Sequence, residues 1–241
     1  MADLLTRKFM NKNCVIAGVG SGNGASFARR FAMSGYRVAM LARTKDYIAN
    51  LSKEIPNSYA VTCDMRDPAA VISSFRQIKE AIGSANVLVY NAGSGDWSGI
   101  EDTTADNFES SWRTNTLGLL VAAQQVLPDM KKAGRGDIVV IGATASLRGG
   151  ANTTGFASAK AAQRSLSQSL ARGLGPIGIH VSYVVIDGII DIDRTRARMP
   201  DQPDEFFLKP DAIAETVYTL TEQHPSAWSF EIDLRPHVEK W

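Results

Sequence analysis

Short apolar runs with no polar alternation, each followed by a segment of helical spacing, constrain this chain more than any other feature. "CVIAG", "RVAMLA", "YAVTCD", "NVLVYNAG", "DIVVIGA" and "IHVSYVVID" read as strands. A strand that is apolar on both faces belongs in a parallel sheet with helices above and below it. The segments between supply those helices. Phe27 and Phe31 lie one turn apart before a stop at Gly35, and Ile48, Leu51 and Ile55 share a face behind a Thr44 cap. Asp67-Pro68 is a cap followed by a first-turn proline, and Val71, Phe75, Ile78 and Ile82 keep helical spacing until Gly83. A long helix is expected from about Asp106 to Met130, with Phe108, Trp112, Leu119, Val126 and Met130 inward. Another is expected over about Phe156 to Leu174. A last one carries Ile213, Val217 and Leu220 inward, ahead of a final strand in "WSFEIDL". With no repeats or linkers in 241 residues, this order predicts a single α/β domain, a doubly wound parallel sheet with helices on both faces.

Composition narrows the function classes. A net charge of +1 gives no basic surface for nucleic acid and no acidic tail. No run approaches the roughly 20 apolar residues of a membrane span, and "MADLLTRKFMNKN" lacks the unbroken apolar stretch of a signal peptide. A cytoplasmic protein is the expectation. Cys14 and Cys63 both fall in apolar strand-like runs, which predicts buried thiols in a reducing compartment rather than a disulfide. No metal site is assigned.

The first strand ends in "AGVGSGNGASFARRF", where Gly18, Gly22 and Gly24 open a helix. Backbone N–H groups of such a turn, here around Ser21, Gly22, Asn23 and Gly24, can approach a pyrophosphate without side-chain clash. A P-loop would require Lys and then Ser or Thr after the last glycine, and Ala25 and Ser26 stand there. A dinucleotide with a free ribose 2′-hydroxyl, or S-adenosylmethionine, calls for a carboxylate at the end of the second strand. This chain offers Ala42 and Arg43, with Thr44 and Lys45 following. A guanidinium suits a 2′-phosphate, which favours NADP(H) over NAD(H).

Five motifs occur in order: the turn at Gly18–Gly24, "CDM" at 63–65, "YNAG" at 90–93, "TNTLG" at 114–118 and "FASAK" at 156–160. Together they resemble the short-chain dehydrogenase/reductases over essentially the whole chain. That resemblance implies a Rossmann-like fold, a nicotinamide cofactor, a small-molecule substrate, and a homodimer or homotetramer formed through the two long helices. It places Asp64 at the adenine amino group, Met65 beside the ring, and Asn91, Ala92 and Gly93 along the cofactor. It makes Asn115 the helix asparagine whose backbone and side chain help hold an active-site water, and Lys160 the group on the nicotinamide ribose. Backbone from Gly188 to Ile190 would meet the nicotinamide carboxamide.

Two departures stand out. In the family a tyrosine hydroxyl gives a proton to the carbonyl oxygen as hydride arrives, and a serine thirteen residues earlier steadies that oxygen. Phe156 and Ala143 occupy those positions here. Asp187-Gly188 stands for the usual Pro-Gly, and "IIDID" lacks the threonine expected after it. Thr153, Thr144 and Asp187 are weak substitutes for the missing groups, and Ser158 should face elsewhere. The segment at about 188–209 is expected to cover the substrate, with Phe206 and Phe207 as an apolar lid or as core. Two functions follow. One is an NADP(H)-dependent oxidoreductase acting on a carbonyl, quinone or alcohol. The other is a catalytically impaired NADP(H)-binding protein with a regulatory or scaffold role.

Overall fold

A computed structural model describes residues 12–94 and 97–240. The N-terminal segment read for targeting lies outside the described residues, apart from its last two. The central sheet has seven parallel strands in the spatial order β3-β2-β1-β4-β5-β6-β9. These are β1 (Asn13–Ala17), β2 (Arg37–Ala42), β3 (Ser58–Thr62), β4 (Val87–Tyr90), β5 (Gly136–Ile141), β6 (Ile179–Ile186) and β9 (Glu231–Leu234). β1, β4, β5 and β6 are buried at every position, as continuous apolar runs require of a sheet covered on both faces. The fold is a single-domain, Rossmann-like doubly wound α/β sheet.

Two cores flank it. One packs Val71, Phe75 and Ile78 of α3 (Pro68–Ile82) with Leu119, Val126 and Met130 against one face. The other packs Phe27 and Phe31 of α1 (Asn23–Met33), Ile48 and Leu51 of α2 (Lys45–Glu54), and Ile213 and Val217 of α8 (Pro210–Thr221) against the opposite face. Asp67 caps α3 by accepting from the Ala69 amide at 2.9 Å. Thr44 holds the capping position of α2, but its side chain makes no capping bond. Cys14 and Cys63 are buried free thiols, as expected. Among the described residues no helix is long and apolar enough to cross a membrane.

Three expectations need correction. The long helix is interrupted: α4 (Ala105–Trp112) passes through a π turn at Arg113–Leu117 into α5 (Gly118–Ala133). Phe108 and Trp112 do not point inward but are each 40% exposed, and α4 meets Gly155 of α6 (Thr154–Leu174) through Ser111 and the backbone of Phe108. A Cβ on Gly155 would lie 3.6 Å from Phe108 Cα and 3.7 Å from Ser111 Oγ. The stretch 188–209 is also more regular than expected, with β7 (Ile189–Ile190), α7 (Asp193–Arg198) and β8 (Phe207–Leu208). Ile189 pairs with Phe207 and Ile190 with Leu208. Phe207 is buried in this ladder, so of the two readings offered for it the core one holds.

Candidate active site

The glycine turn fixes one end of a cleft along the C-terminal edge of the sheet, where open α/β sheets place their ligands. Gly18 has φ +93° and its carbonyl accepts from Asn91 Nδ2 at 2.6 Å. A side chain there would run into the backbone of Ala92. A Cβ on Gly24 would come within 2.6 Å of Val19 Cα, so the turn closes only with glycine at that position too. Gly22 has a different neighbour: a Cβ there would lie 2.7 Å from an Ile192 methyl and 3.9 Å from one of Ile190. The segment 188–209 therefore rests directly on the glycine turn. Ser21 is exposed beside it, and Asn23 is buried with its Oδ1 accepting no bond.

Along the sheet edge a cavity of about 270 Å³ runs from this turn past Arg43, Asp64 and Met65 to Asn91, Ala92 and Gly93. Seven of the sequence-predicted residues thus meet around one space, counting Gly18. Asp64 is clamped by Arg66, which donates from Nε at 3.0 Å and holds its carboxyl below the usual carboxylate range. Gly188 and Ile190 lie off this wall. Gly188, at φ +150°, packs against Pro236 of the C-terminal tail, and Ile190 belongs to β7.

Beyond Gly93 lies the polar cluster of Asn115 and Lys160. Asn115 occupies the π turn, an insertion that frees backbone groups from the helical ladder and often accompanies functional sites. Its Nδ2 donates to the Ser111 carbonyl at 2.9 Å, and its buried Oδ1 accepts no bond. Lys160 Nζ, also buried, donates to the Ile141 carbonyl at 2.9 Å and to Gln163 Oε1 at 3.0 Å. Burial pushes its ammonium down to about 7. A Cβ on Gly93 would lie 3.4 Å from Asn115 Oδ1 and 3.7 Å from Lys160 Nζ. The glycine thus keeps open a small polar gap with an acceptor on one side and a donor on the other.

Sequence reasoning missed Gln163. Its Nε2 donates to the Asn115 carbonyl at 2.9 Å, so the backbone group expected to help hold a water is joined to Lys160 by a fully buried amide. The signal was a long polar residue among small ones in "KAAQRSLS". Ser94 was missed as well: its hydroxyl donates to Ser111 Oγ at 3.1 Å on the cleft wall.

Ala143 follows β5 in extended backbone, and Phe156 stands half-buried in the first turn of α6. The Phe156 ring lies 5.7 Å from that of Trp97, tilted by 31°, which makes an aromatic wall. The expected substitute donors are engaged elsewhere. Thr153 donates to the Gly150 carbonyl at 3.0 Å and accepts its amide at 2.8 Å. Thr144 donates to Asp187 Oδ1 at 2.5 Å, and Asp187 ion-pairs with Arg235 at 3.2 Å. Ser158 is exposed and bonds to the Thr154 carbonyl, facing away as expected.

A glycine turn opening α1, a cleft along the ends of parallel strands, and an asparagine and a lysine closing that cleft are joined in one domain. The short chain dehydrogenase family model matches residues 12–203. The chain belongs to that family. Among curated relatives, the sorbitol-6-phosphate 2-dehydrogenase of Escherichia coli is 27% identical over 213 residues, covering 86% of this chain and 82% of the relative. The 3-oxoacyl-[acyl-carrier-protein] reductase of Bos taurus is 29% identical over 188 residues, covering 78% and 79%. A solved short-chain dehydrogenase from Rhodopseudomonas palustris superposes with a TM-score of 0.80 at 31% identity, over 94% of this chain and 99% of that one. An alcohol dehydrogenase from Thermococcus sibiricus, solved with 5-hydroxy-NADP, gives 0.84 at 25% identity over 95% and 98%. As a member of this family the chain is an oxidoreductase.

Proposed function

We propose that this chain is an NADP(H)-dependent oxidoreductase that passes hydride to an acceptor able to hold the resulting negative charge, such as a quinone or a diketone. Phe156 and Ala143 take the positions of the family's tyrosine and serine, and the segment 188–209 covers the substrate. The observation that carries this reading is the pairing of the cleft that runs from Gly18 past Arg43 and Asp64 to Gly93 with the Asn115–Lys160 gap beside Gly93. The NADP complex of a structural relative supports the choice of cofactor.

The bound nicotinamide supplies hydride chemistry; the protein binds, orients and excludes water. Gly18, Ser21, Gly22, Asn23 and Gly24 would cradle the pyrophosphate, Arg43 the 2′-phosphate, and Asp64 and Met65 the adenine. Asn91, Ala92, Gly93, Gly188 and Ile190 would line the remainder, with Lys160 on the ribose hydroxyls. Phe156 and Trp97 offer a flat acceptor a surface to stack on. Thr153, Thr144 and Asp187 are all committed to other partners, which favours an acceptor whose reduced anion can take its proton from water. The same observation supports the second reading, a catalytically impaired NADP(H)-binding protein.

One experiment separates them: NADPH oxidation by the purified protein against quinones, diketones and simple ketones, with Lys160→Ala as control. Quinone or diketone turnover well above ketone turnover, and lost in the control, is expected. Silence across the panel with NADPH bound would leave the binding-protein reading. In the same assay Arg43→Ser should weaken NADPH about ten- to a hundredfold, the worth of charge-assisted hydrogen bonds to a phosphate, and leave NADH nearly unchanged. Equal losses for both cofactors would remove Arg43 from the 2′-phosphate.

A further inference from the structure

α7 carries three arginines with two different environments. Arg196 is fully engaged: it bonds Asp191 at 2.5 Å and Asp204 at 2.7 Å, and its guanidinium lies 4.0 Å from the centre of the Phe207 ring. These contacts bind one side of α7 to the β7–β8 ladder. Arg194 and Arg198 are one helical turn apart, on the other side. Among the described residues neither has a hydrogen-bond or ion-pair partner, and the same is true of Arg43.

All three line a second cavity, of about 620 Å³, that opens beside the cleft at Gly93 and Ser94. Its far wall is α4, which presents Asn107, Ser110 and Ser111, and Trp97 borders it. No acidic side chain among the described residues lines this space. Like charges four residues apart on a helix repel each other, so the Arg194–Arg198 pair is unfavourable unless an anion comes between. Two guanidiniums beside hydroxyls and an amide, with no carboxylate among the described lining residues, are a combination suited to a compact oxyanion.

The geometry points to an anion subsite for the acceptor: Arg194 and Arg198 hold a phosphate or carboxylate carried by the substrate. The site lies between α7 and α4, outside the glycine turn, and its cavity meets the cofactor cleft at Arg43, Gly93 and Ser94. Gly93 and Ser94 line both cavities, and Gly93 borders the Lys160 gap, so the anion subsite opens toward that gap. This rests on the proposed reading in giving Arg43 to the cofactor, which leaves the α7 pair for a second anion.

The test is a calorimetric titration of inorganic phosphate into the full chain saturated with NADP+, for wild type and an Arg194→Gln/Arg198→Gln variant. Both arginines are exposed, so the variant should fold as wild type does. Wild type is expected to bind phosphate at one site, with at least a tenfold loss in the variant and NADP+ affinity changed by less than threefold. Phosphate binding that is absent in wild type, or equal in the two proteins, overturns the proposal. So does a loss of NADP+ affinity in step with the loss of phosphate, which would give the pair to the cofactor instead. If wild type takes up no NADP+, the cofactor reading fails separately. The phosphate titration is then read on the free protein by the same tenfold criterion.

Discussion

An Ala143→Ser/Phe156→Tyr double variant is expected to reduce simple ketones with NADPH at least about 10²-fold faster than the wild-type chain. The surroundings of both positions are already in place. Phe156 and Lys160 are one helical turn apart on α6, so a tyrosine hydroxyl would stand on the lysine's side of the helix. Ala143 is in extended backbone just past β5, where a serine adds a single oxygen to a half-buried site. A general acid contributes about 10²–10⁴ in rate. An oxyanion donor contributes about 10²–10³, less where the two act as a unit. Phe156→Tyr alone should therefore recover most of the gain and Ala143→Ser alone little. Steady-state ketone kinetics with NADPH affinity measured in parallel provide the check. A double variant that binds NADPH like wild type but reduces ketones no faster would show that these are not the positions of the missing hydroxyls.

The fold was legible because the sheet is buried on both faces. A strand such as Ile179–Ile186, buried at all eight positions, leaves no room for polar alternation, and its neighbours carry the same mark. Helix ends were readable where a local bond makes them, as at Asp67. The π turn was not readable: one inserted residue shifts the helical phase by about 100°, and apolar residues on either side of it still look periodic. That shift goes with the misplacement of Phe108 and Trp112, which are exposed while Ser111 and the backbone of Phe108 meet Gly155 of α6. Within the candidate site, the glycine turn and Arg43 were singled out from their places at strand ends, and Asp64 and Asn91 only through the family resemblance. Gln163 was not, because a lone amide in a helix of small residues looks like part of a solvated face until the fold turns it toward Asn115 and Lys160. Arg194, Arg196 and Arg198 were not singled out, because alternate arginines are alike in sequence; the positions of Asp191 and Asp204 separate the engaged arginine from the two without partners among the described residues.

Lys160 should make the cofactor-free protein more stable as pH rises through neutrality. Its ammonium is pushed down to about 7 by burial, while in the unfolded chain it titrates near 10.4. Between those values the unfolded state carries a proton that the folded state has lost, so stability increases with pH, by up to about 1.4 kcal/mol per pH unit. From about pH 6.5 to about pH 8.5 the accumulated gain is about 2 kcal/mol. The buried Cys14, Cys63, Tyr90 and Tyr183 act in the opposite sense, since burial raises them and the folded state resists their ionisation. Their effect begins at higher pH and is common to wild type and variant. Lys160→Met, which keeps the apolar stem and removes the charge, should lose the gain, and the two denaturant-derived stability curves should diverge across that range. The Ile141 carbonyl and Gln163 Oε1 oppose the effect of burial, because both accept from the ammonium and favour its charged form. Parallel curves would mean that these two acceptors outweigh desolvation and that Lys160 stays charged through neutral pH. Divergent curves would mean that the free protein holds Lys160 poised to change charge where it works, and that NADP+ binding draws in a proton if the ribose hydroxyls select the ammonium.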